Sequence, residues 1–340
     1  MLRRFLAAAI IVILGLTLLV TAWPQLFGLQ RAPGVAQLVS LRGLEIAIAL
    51  FLVLALGFIA VVSPQLRRFT ASLAIILLLF TAVTTAVLAS RGFGSLAFET
   101  ISDSSVTVLA WNTLGDAPGA SAIATLAIET EADVVALAET TEATGQQVAE
   151  AMAVAGRPVQ AFTIHFDEIS KARSTTLLIS ETLGSYVVDA AEPNSLVLPT
   201  VIARPVDGSG PTIMAVHLVA PIPGEFHHWQ QDLEWMASAC TGPNVIVAGD
   251  FNSTLDHFSG LADTDGASLG ECLDAAGTTD NAAVGTWPTS LPALFGAPID
   301  HVMATPNWAV TGMRVIENYD KYGSDHRPIL AQLAPAPAGP

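Results

Sequence analysis

The sequence predicts an α/β domain carried behind three membrane-spanning helices, and three observations predict it. Three charge-free apolar runs occupy the first quarter of the 340 residues; after residue 105, short runs of four to six apolar residues alternate with amphipathic stretches; and several of those short runs end on a polar or ionisable side chain. Short apolar runs that break off at glycine or polar residues read as buried strands. Strands so uniformly apolar need cover on both faces, from helices on one and a second sheet on the other.

The apolar runs at residues 5–22, 46–62 and 69–90 each approach the roughly twenty residues that cross a hydrocarbon core. Arg3 and Arg4 before the first run would suit a cleavable leader. Two more runs follow, however, and the first closes on Trp23-Pro24, an interface aromatic and a helix stop, without a small-residue cleavage site. Residues 1–91 therefore read as a membrane domain. Arg3, Arg4, Arg67 and Arg68 flank the spans closely, whereas the longer first loop holds only Arg31 and Arg42. That bias puts the N-terminus inside and everything after the third span on the extracytoplasmic side of the cell membrane.

Residues 92–105 are small and polar with no period and read as a tether. Residues 106–333 form the main domain, with strands expected at 106–111, 134–138, 175–179, 212–216, 245–248, 299–303 and 329–333 and helices near 121–131, 144–155, 226–239 and 268–276. The Pro/Ala-rich tail, 334–340, reads as disordered. No internal repeat is present, and nothing in the sequence speaks to oligomeric state.

The most informative stretch is VIVAGDFN, residues 245–252. A buried strand meets a glycine turn, and Asp250 and Asn252, two apart, share one side of the extended chain. Near the C-terminus, GSDHRP at 323–328 sets Asp325 beside His326. Between and before these, VLAWN ends on Asn112, ADVVALAE ends on Glu139, MAVHL carries His217 and IDH carries Asp300. Taken singly, each suits an ordinary strand-to-loop transition. Together, strand ends that aim carboxylates, amides and imidazoles at one spot suit metal-assisted attack of water on a phosphate ester, where one group orients water and others hold a cation.

In this order the six motifs resemble the endonuclease/exonuclease/phosphatase superfamily, divalent-metal phosphoesterases that include DNase I-like nucleases, inositol phosphatases and bacterial sphingomyelinases. The likeness spans about 106–333, and GTWP at 285–288 leading to IDH looks like a bacterial membrane-anchored branch. The resemblance implies a four-layer α/β sandwich of two mixed sheets flanked by helices, with the active site at one edge. It implies that Glu139 binds Mg²⁺ or Mn²⁺, that Asn112 holds the metal shell or a phosphate oxygen, and that Asp325 is a second metal-site carboxylate. Asp250 would orient or deprotonate the attacking water, and Asn252 would contact the phosphate. His326 would face the phosphoryl group with Asp300 bonded to its other ring nitrogen, and His217 would contact the scissile phosphate or protonate the leaving group. Two departures stand out: Ala138 where the family often has Gln, and Ala215-Val216 where Asn-Thr is usual before the histidine.

Charge narrows the partner. Of 30 acids only Glu45 precedes residue 90, whereas 8 of the 14 basic residues follow it, which leaves about twenty-one net negative charges on the soluble part. An acidic surface serves solubility in many domains, but no basic stripe exists to neutralise a nucleic-acid backbone. The expected partner is a phosphate ester held at the membrane, such as a lipid-linked envelope intermediate; an extracellular nuclease, a scavenger of soluble phosphate esters and a non-catalytic binding domain are the alternatives. Arg173 is the loop base best placed to meet a phosphate, though a solvated arginine is the plainer reading. His227 and His228 fall on an amphipathic helix with at least one facing solvent; His257 and His301 lie near site residues and are candidates to line the pocket, while His165 carries no assignment. Cys240 and Cys272 permit either a disulfide or burial as two small apolar residues.

Overall fold

The computed structural model describes residues 1–102, 104–167, 169–188 and 194–337. The chain divides into two compact units, Met1–Arg91 and Gly92–Pro340. The first holds α1 (Leu2–Ala22), the short α2 (Val35–Ser40), α3 (Arg42–Val62) and α4 (Arg67–Arg91). Three of these, α1, α3 and α4, are long and apolar enough to cross a membrane. Each extends beyond the charge-free run read from the sequence, because the flanking arginines join the terminal turns. Ala22, Ala49, Leu77 and Phe80 pack together, while Phe5, Ile13, Phe51, Leu54, Phe58 and Leu79 stay exposed, as side chains facing lipid would. The Arg42 guanidinium is buried and donates to the last carbonyls of α1, Thr21 and Ala22, at 3.4 and 3.3 Å.

The second unit contains β1 (Val106–Asn112), α5 (Gly119–Glu129), β2 (Val134–Ala138), α6 (Glu142–Val154), β3 (Val159–His165), β4 (Ser174–Ser180), β5 (Tyr186–Val188), β6 (Val201–Pro205), β7 (Thr212–His217), α7 (Phe226–Ala239), β8 (Val245–Asp250), α8 (Leu255–Phe258), β9 (Leu273–Asp274), α9 (Ala275–Thr278), β10 (Asp300–Ala304), β11 (Trp308–Val315) and β12 (Ile329–Pro335). They form two six-stranded sheets, ordered β11-β12-β1-β2-β4-β3 and β5-β6-β7-β8-β10-β9. Both are mixed. Each has one parallel pair, β1 with β2 and β7 with β8, whose crossovers run through α5 and α7 as parallel neighbours require.

Between the sheets, Val108, Ala110, Val134, Ala136, Ile213, Ala215, Ile246 and Ala248 form one core. The alternate residues of the same strands, Leu109, Trp111, Val135 and Leu137, pack outward with Ile123, Leu126, Val148 and Met152 of α5 and α6. Burial on both faces explains why β1, β2 and β8 are apolar without alternation. The architecture is the expected four-layer sandwich.

Three local expectations are corrected. Residues 92–99 do not behave as a free tether: Gly94 N–H donates to Asp280 O (2.9 Å), Ser95 N–H to Asn281 Oδ1 (3.1 Å) and Glu99 N–H to Thr311 O (2.9 Å), and Phe98 bridges to Gly312, where any Cβ would strike its ring. Small residues without a period concealed an edge-like pairing. The helix expected at 268–276 is instead an irregular turn. Gly270 has a left-handed φ of 55°, Cys272 is disulfide-bonded to Cys240 with Cα atoms 5.8 Å apart, and Asp274 caps the one-turn α9 through Gly277 N–H. Finally, β12 runs to Pro335, into the segment assigned to a disordered tail, because Trp308 and Ala309 of β11 pair with Pro335 and Ala334; residues 338–340 lie outside the described residues. The sequence also missed β3, β5, β6 and β11, which lie toward the sheet edges; β3, β5 and β11 are only partly buried along much of their length, and β6 is buried over just three residues.

Candidate active site

The parallel pairs β1/β2 and β7/β8 end at the same side of the sandwich, and the antiparallel strands β10 and β12 begin there. That shared edge delivers the polar strand ends to one place. Asn112 closes β1, Glu139 follows β2, His217 closes β7, Asp250 closes β8, Asp300 opens β10 and the Asp325-His326 pair leads into β12.

The Asn112 amide bridges the two sheets, donating to Glu139 Oε1 at 3.2 Å and to Asp250 Oδ2 at 3.0 Å, while its own oxygen accepts from Leu114 N–H at 3.0 Å. Its nitrogen thus holds two carboxylates together, while its oxygen, with one lone pair taken by Leu114, keeps a second for a cation or its water shell. His217 Nε2 lies 3.8 Å from Glu139 Oε1 and 3.9 Å from Asp250 Oδ2. His326 Nε2 lies 3.7 Å from Asp250 Oδ2, and its Nδ1 is 2.8 Å from Asp300 Oδ2. Asp250 Oδ1 accepts from Asn252 N–H (2.8 Å), and Asn252 Nδ2 donates to Leu218 O (2.8 Å).

Two site residues sit in the left-handed region, Glu139 at φ 55° and Asn252 at φ 48°. Such strain costs of order 1–3 kcal/mol and clusters where a side chain must be aimed. Gly249, at φ 141°, approaches the Val216 carbonyl so closely that any Cβ there would collide with it; glycine lets β8 lie against β7 just before both reach the site.

The Asp325 loop is held from below. Ser324 Oγ donates to Asn112 O (2.6 Å) and accepts from His326 N–H (3.0 Å), and Trp111 Nε1 donates to His326 O (2.8 Å). Trp287 Nε1 donates to Asp325 Oδ2 at 2.8 Å. The fully buried Arg327 donates to the Gly285, Pro288, Thr289 and Leu291 carbonyls and to Asp320 Oδ2 (2.7 Å). Ser324, Trp287 and Arg327 stand inside or beside motifs the sequence singled out, yet each was passed over because its role lies in a contact distant along the chain.

Not every nominated residue reaches the site. His257 is buried under Trp229, ring centroids 5.1 Å apart, with Nδ1 accepting from Thr254 N–H. His301 bonds Asp274 and the Ser253 carbonyl. Neither lines the pocket as proposed. His227 and His228 are both exposed, and Arg173 lies half-buried just before β4; the nearby Lys171 pairs with Asp116 at 3.2 Å.

The family model for the endonuclease/exonuclease/phosphatase family matches residues 109–326. The chain belongs to that family. Solved structures share its fold: an endonuclease/exonuclease/phosphatase from Beutenbergia cavernae (19% identity, 69% of this chain and 72% of that one, TM-score 0.51), humanized D. rerio TDP2 (17%, 68% and 99%, 0.51) and D. rerio TDP2 complexed with single strand DNA product (18%, 68% and 99%, 0.52). No curated protein sequence matches it. Members of the family are metal-dependent phosphoesterases, and this chain is an enzyme of that class.

The electrostatics suit a family member of this kind. Burial raises Glu139 above the usual carboxylate range, with Asn112 and His326 opposing and Asp325 adding to the rise. Burial likewise raises Asp250, opposed mainly by His326. His217 is lowered by burial and is neutral at pH 7. His326 is pushed up to about 10, because the Asp300 and Asp250 carboxylates outweigh the effect of burial. One imidazole is therefore neutral and one charged.

A divalent cation fits these residues. Glu139, Asp250, Asp300 and Asp325 meet at one edge with no Lys or Arg ion pair among the described residues, and Asp300 Oδ1 and Asp325 Oδ1 are buried with no hydrogen-bond partner in the protein. Oxygen donors crowded in this way suit a hard cation. Asp250, Asp300 and His326 present ligand-type atoms within 4.8 Å of one another. His326 Nδ1 and Asp300 Oδ2 are already spent on each other, however, so that trio reads first as an acid–base array.

Proposed function

We propose that this family member is an outward-facing, membrane-anchored phosphoesterase that uses Mg²⁺ or Mn²⁺ to hydrolyse a phosphate, pyrophosphate or phosphodiester bond of a lipid-linked substrate. The observation that carries the substrate class is the rim of the site. Leu114, Phe166, Ile169, Ile222, Leu294, Phe295 and Tyr322 are all exposed, and all belong to the five connections at the end of the sandwich that bears the site. Exposed apolar side chains around a polar centre in a domain with about twenty-one excess negative charges favour an amphiphile whose phosphate enters the site and whose apolar part stays at the rim. The same charge disfavours a nucleic acid.

The outward orientation rests on the arginine bias around α1, α3 and α4 and on the Cys240–Cys272 disulfide, a bond that persists in oxidising compartments. Anchoring enzyme and substrate to one surface raises their effective concentration.

Glu139 and Asp325 would hold the cation, which lowers the pKa of water and offsets charge on the phosphate. Asp250 aligns the attacking water and accepts its proton. Asn252 would contact a phosphate oxygen by turning its Nδ2 from Asp250 Oδ2, the longer of its two bonds at 3.3 Å. His326, kept charged and oriented by Asp300, stabilises the extra negative charge that develops on the phosphoryl oxygens. His217, neutral and close to both Glu139 and Asp250, meets the scissile phosphate on the second sheet.

The test is hydrolysis by the full chain in detergent of lipid pyrophosphates, lipid phosphomonoesters, phosphodiesters, soluble sugar phosphates and DNA, each with Mg²⁺ or Mn²⁺. Lipid-linked substrates should be turned over with kcat/KM at least about tenfold above soluble analogues, and Ile222→Ser with Leu294→Ser and Phe295→Ser should erase that preference without affecting the soluble ones. Turnover of DNA at enzyme concentrations far below substrate would overturn the reading in favour of a nuclease.

A further inference from the structure

Asp300 and His301 are neighbours on β10 and project to opposite faces of the strand. Asp300 turns to the site. His301 turns away, into a buried space where its ring packs against Phe251 and Phe258 with centroids 5.4 and 5.1 Å apart. Its Nδ1 lies 2.6 Å from Asp274 Oδ2 and its Nε2 lies 2.8 Å from the Ser253 carbonyl oxygen. A backbone carbonyl only accepts, so Nε2 carries a proton. Asp274 Oδ1 also accepts from Gly277 N–H at 2.7 Å, so both oxygens of the carboxylate are engaged and its place beside Nδ1 is fixed.

A second buried donor converges on Ser253 and reaches its neighbour Asn252. Trp229 Nε1 is 2.9 Å from Ser253 Oγ and 3.2 Å from the Asn252 carbonyl. Asn252 is one of the two site residues with a left-handed backbone, and such strain persists only where surrounding groups over-determine it. Trp229 comes from α7 and His301 from β10, so the strained turn is gripped from two separate elements.

We propose that His301, held by Asp274, and Trp229 are positioning residues that clamp the Asn252-Ser253 backbone and thereby keep Asp250 and Asn252 aimed at the phosphate. Neither touches the reacting atoms. The inference rests on the reading above, in which Asp250 handles the water and Asn252 the phosphate.

The experiment compares the full chain in detergent with Trp229→Phe and with His301→Phe combined with Asp274→Asn, a pairing that leaves no unpaired buried charge. Each should lower kcat about tenfold or more while KM changes less than about twofold, because misplacement of the acid is felt in the transition state. Amide hydrogen exchange across residues 249–255 should rise about tenfold, with exchange in β1 unchanged. His301→Gln, which retains a donor for Ser253, should recover part of kcat; a residue serving stability alone would not separate Gln from Phe in turnover at matched Tm. If the His301 pair variant does not fold, Trp229→Phe decides the matter through the same two readouts. Wild-type kcat together with wild-type exchange across 249–255 would overturn the inference. Failure of the wild-type chain to hydrolyse any phosphate ester would instead overturn the functional reading, and the exchange measurement would still decide whether the clamp exists.

Discussion

Asp250 and Asp300 stand directly opposite each other in the antiparallel β8–β10 ladder, and His326 lies against both, 3.7 Å from one carboxylate and 2.8 Å from the other. A single register therefore sets two carboxylates on one imidazole, Asp250 proposed above to accept a proton from water and Asp300 the stronger of the two in raising His326.

Asp250→Asn and His326→Ala should each lower kcat about a hundredfold or more with small changes in KM, since groups used mainly in the transition state appear in the rate. Steady-state kinetics on the preferred ester checks this. Wild-type turnover in Asp250→Asn would remove Asp250 from the chemistry.

Glu139→Gln should behave differently. It removes charge from the cation-holding set, so activity should fall at low Mg²⁺ and return in part as Mg²⁺ or Mn²⁺ is raised. EDTA should abolish wild-type turnover, and full activity in its presence would contradict the metal assignment.

The pH profile carries the Asp300–His326 relationship. His326 moves from 6.5 up to about 10 in the folded chain, so its protonated form persists through neutral pH. The stability it contributes is complete below about 6.5 and is lost as pH rises through about 10. Turnover should share that alkaline limb, and Asp300→Asn should move the limb toward lower pH because Asp300 is the strongest influence raising His326. An unmoved limb would show that another group sets it.

Gly249→Ala is a stability prediction. The new methyl meets the Val216 carbonyl in a backbone conformation that L residues rarely adopt, and a loss of roughly 3 kcal/mol or more is expected. Denaturant unfolding should show a large fall in midpoint. Ala at Gly57, where nothing lies near, serves as the comparison and should be close to neutral.

A reporter active only outside the cytoplasm, fused after Pro340, should be active. Silence there, with a cytoplasmic reporter active at the same position, would reverse the proposed orientation and remove the compartment argument.

What was legible in the sequence followed burial and order. β1, β2, β7 and β8 announce themselves because both faces are covered, and their polar ends announce the site because a charge closing an apolar run has few structural uses. The partly buried β3 and β11 mix polar and apolar residues, and β5 and β6 are only three and five residues long, so none gave such a signal. Contacts between distant segments were hidden altogether: Trp287 with Asp325, Arg327 with four carbonyls, and Phe98 seated on Gly312. The motif nominated Asn112 but could not show how its amide is held, by Leu114 N–H on its oxygen and by Glu139 and Asp250 on its nitrogen.

The Cys240–Cys272 bond closes a ring of chain that contains all of β8, and with it Asp250, Asn252 and Ser253. Closing a loop of 32 residues withdraws roughly 3–4 kcal/mol of disorder from the unfolded chain. Asp250 thus lies inside a covalent loop fastened two residues from Asp274, so a thiol reductant is expected to loosen the segment that carries it without entering the site, which a lower Tm under reduction would show.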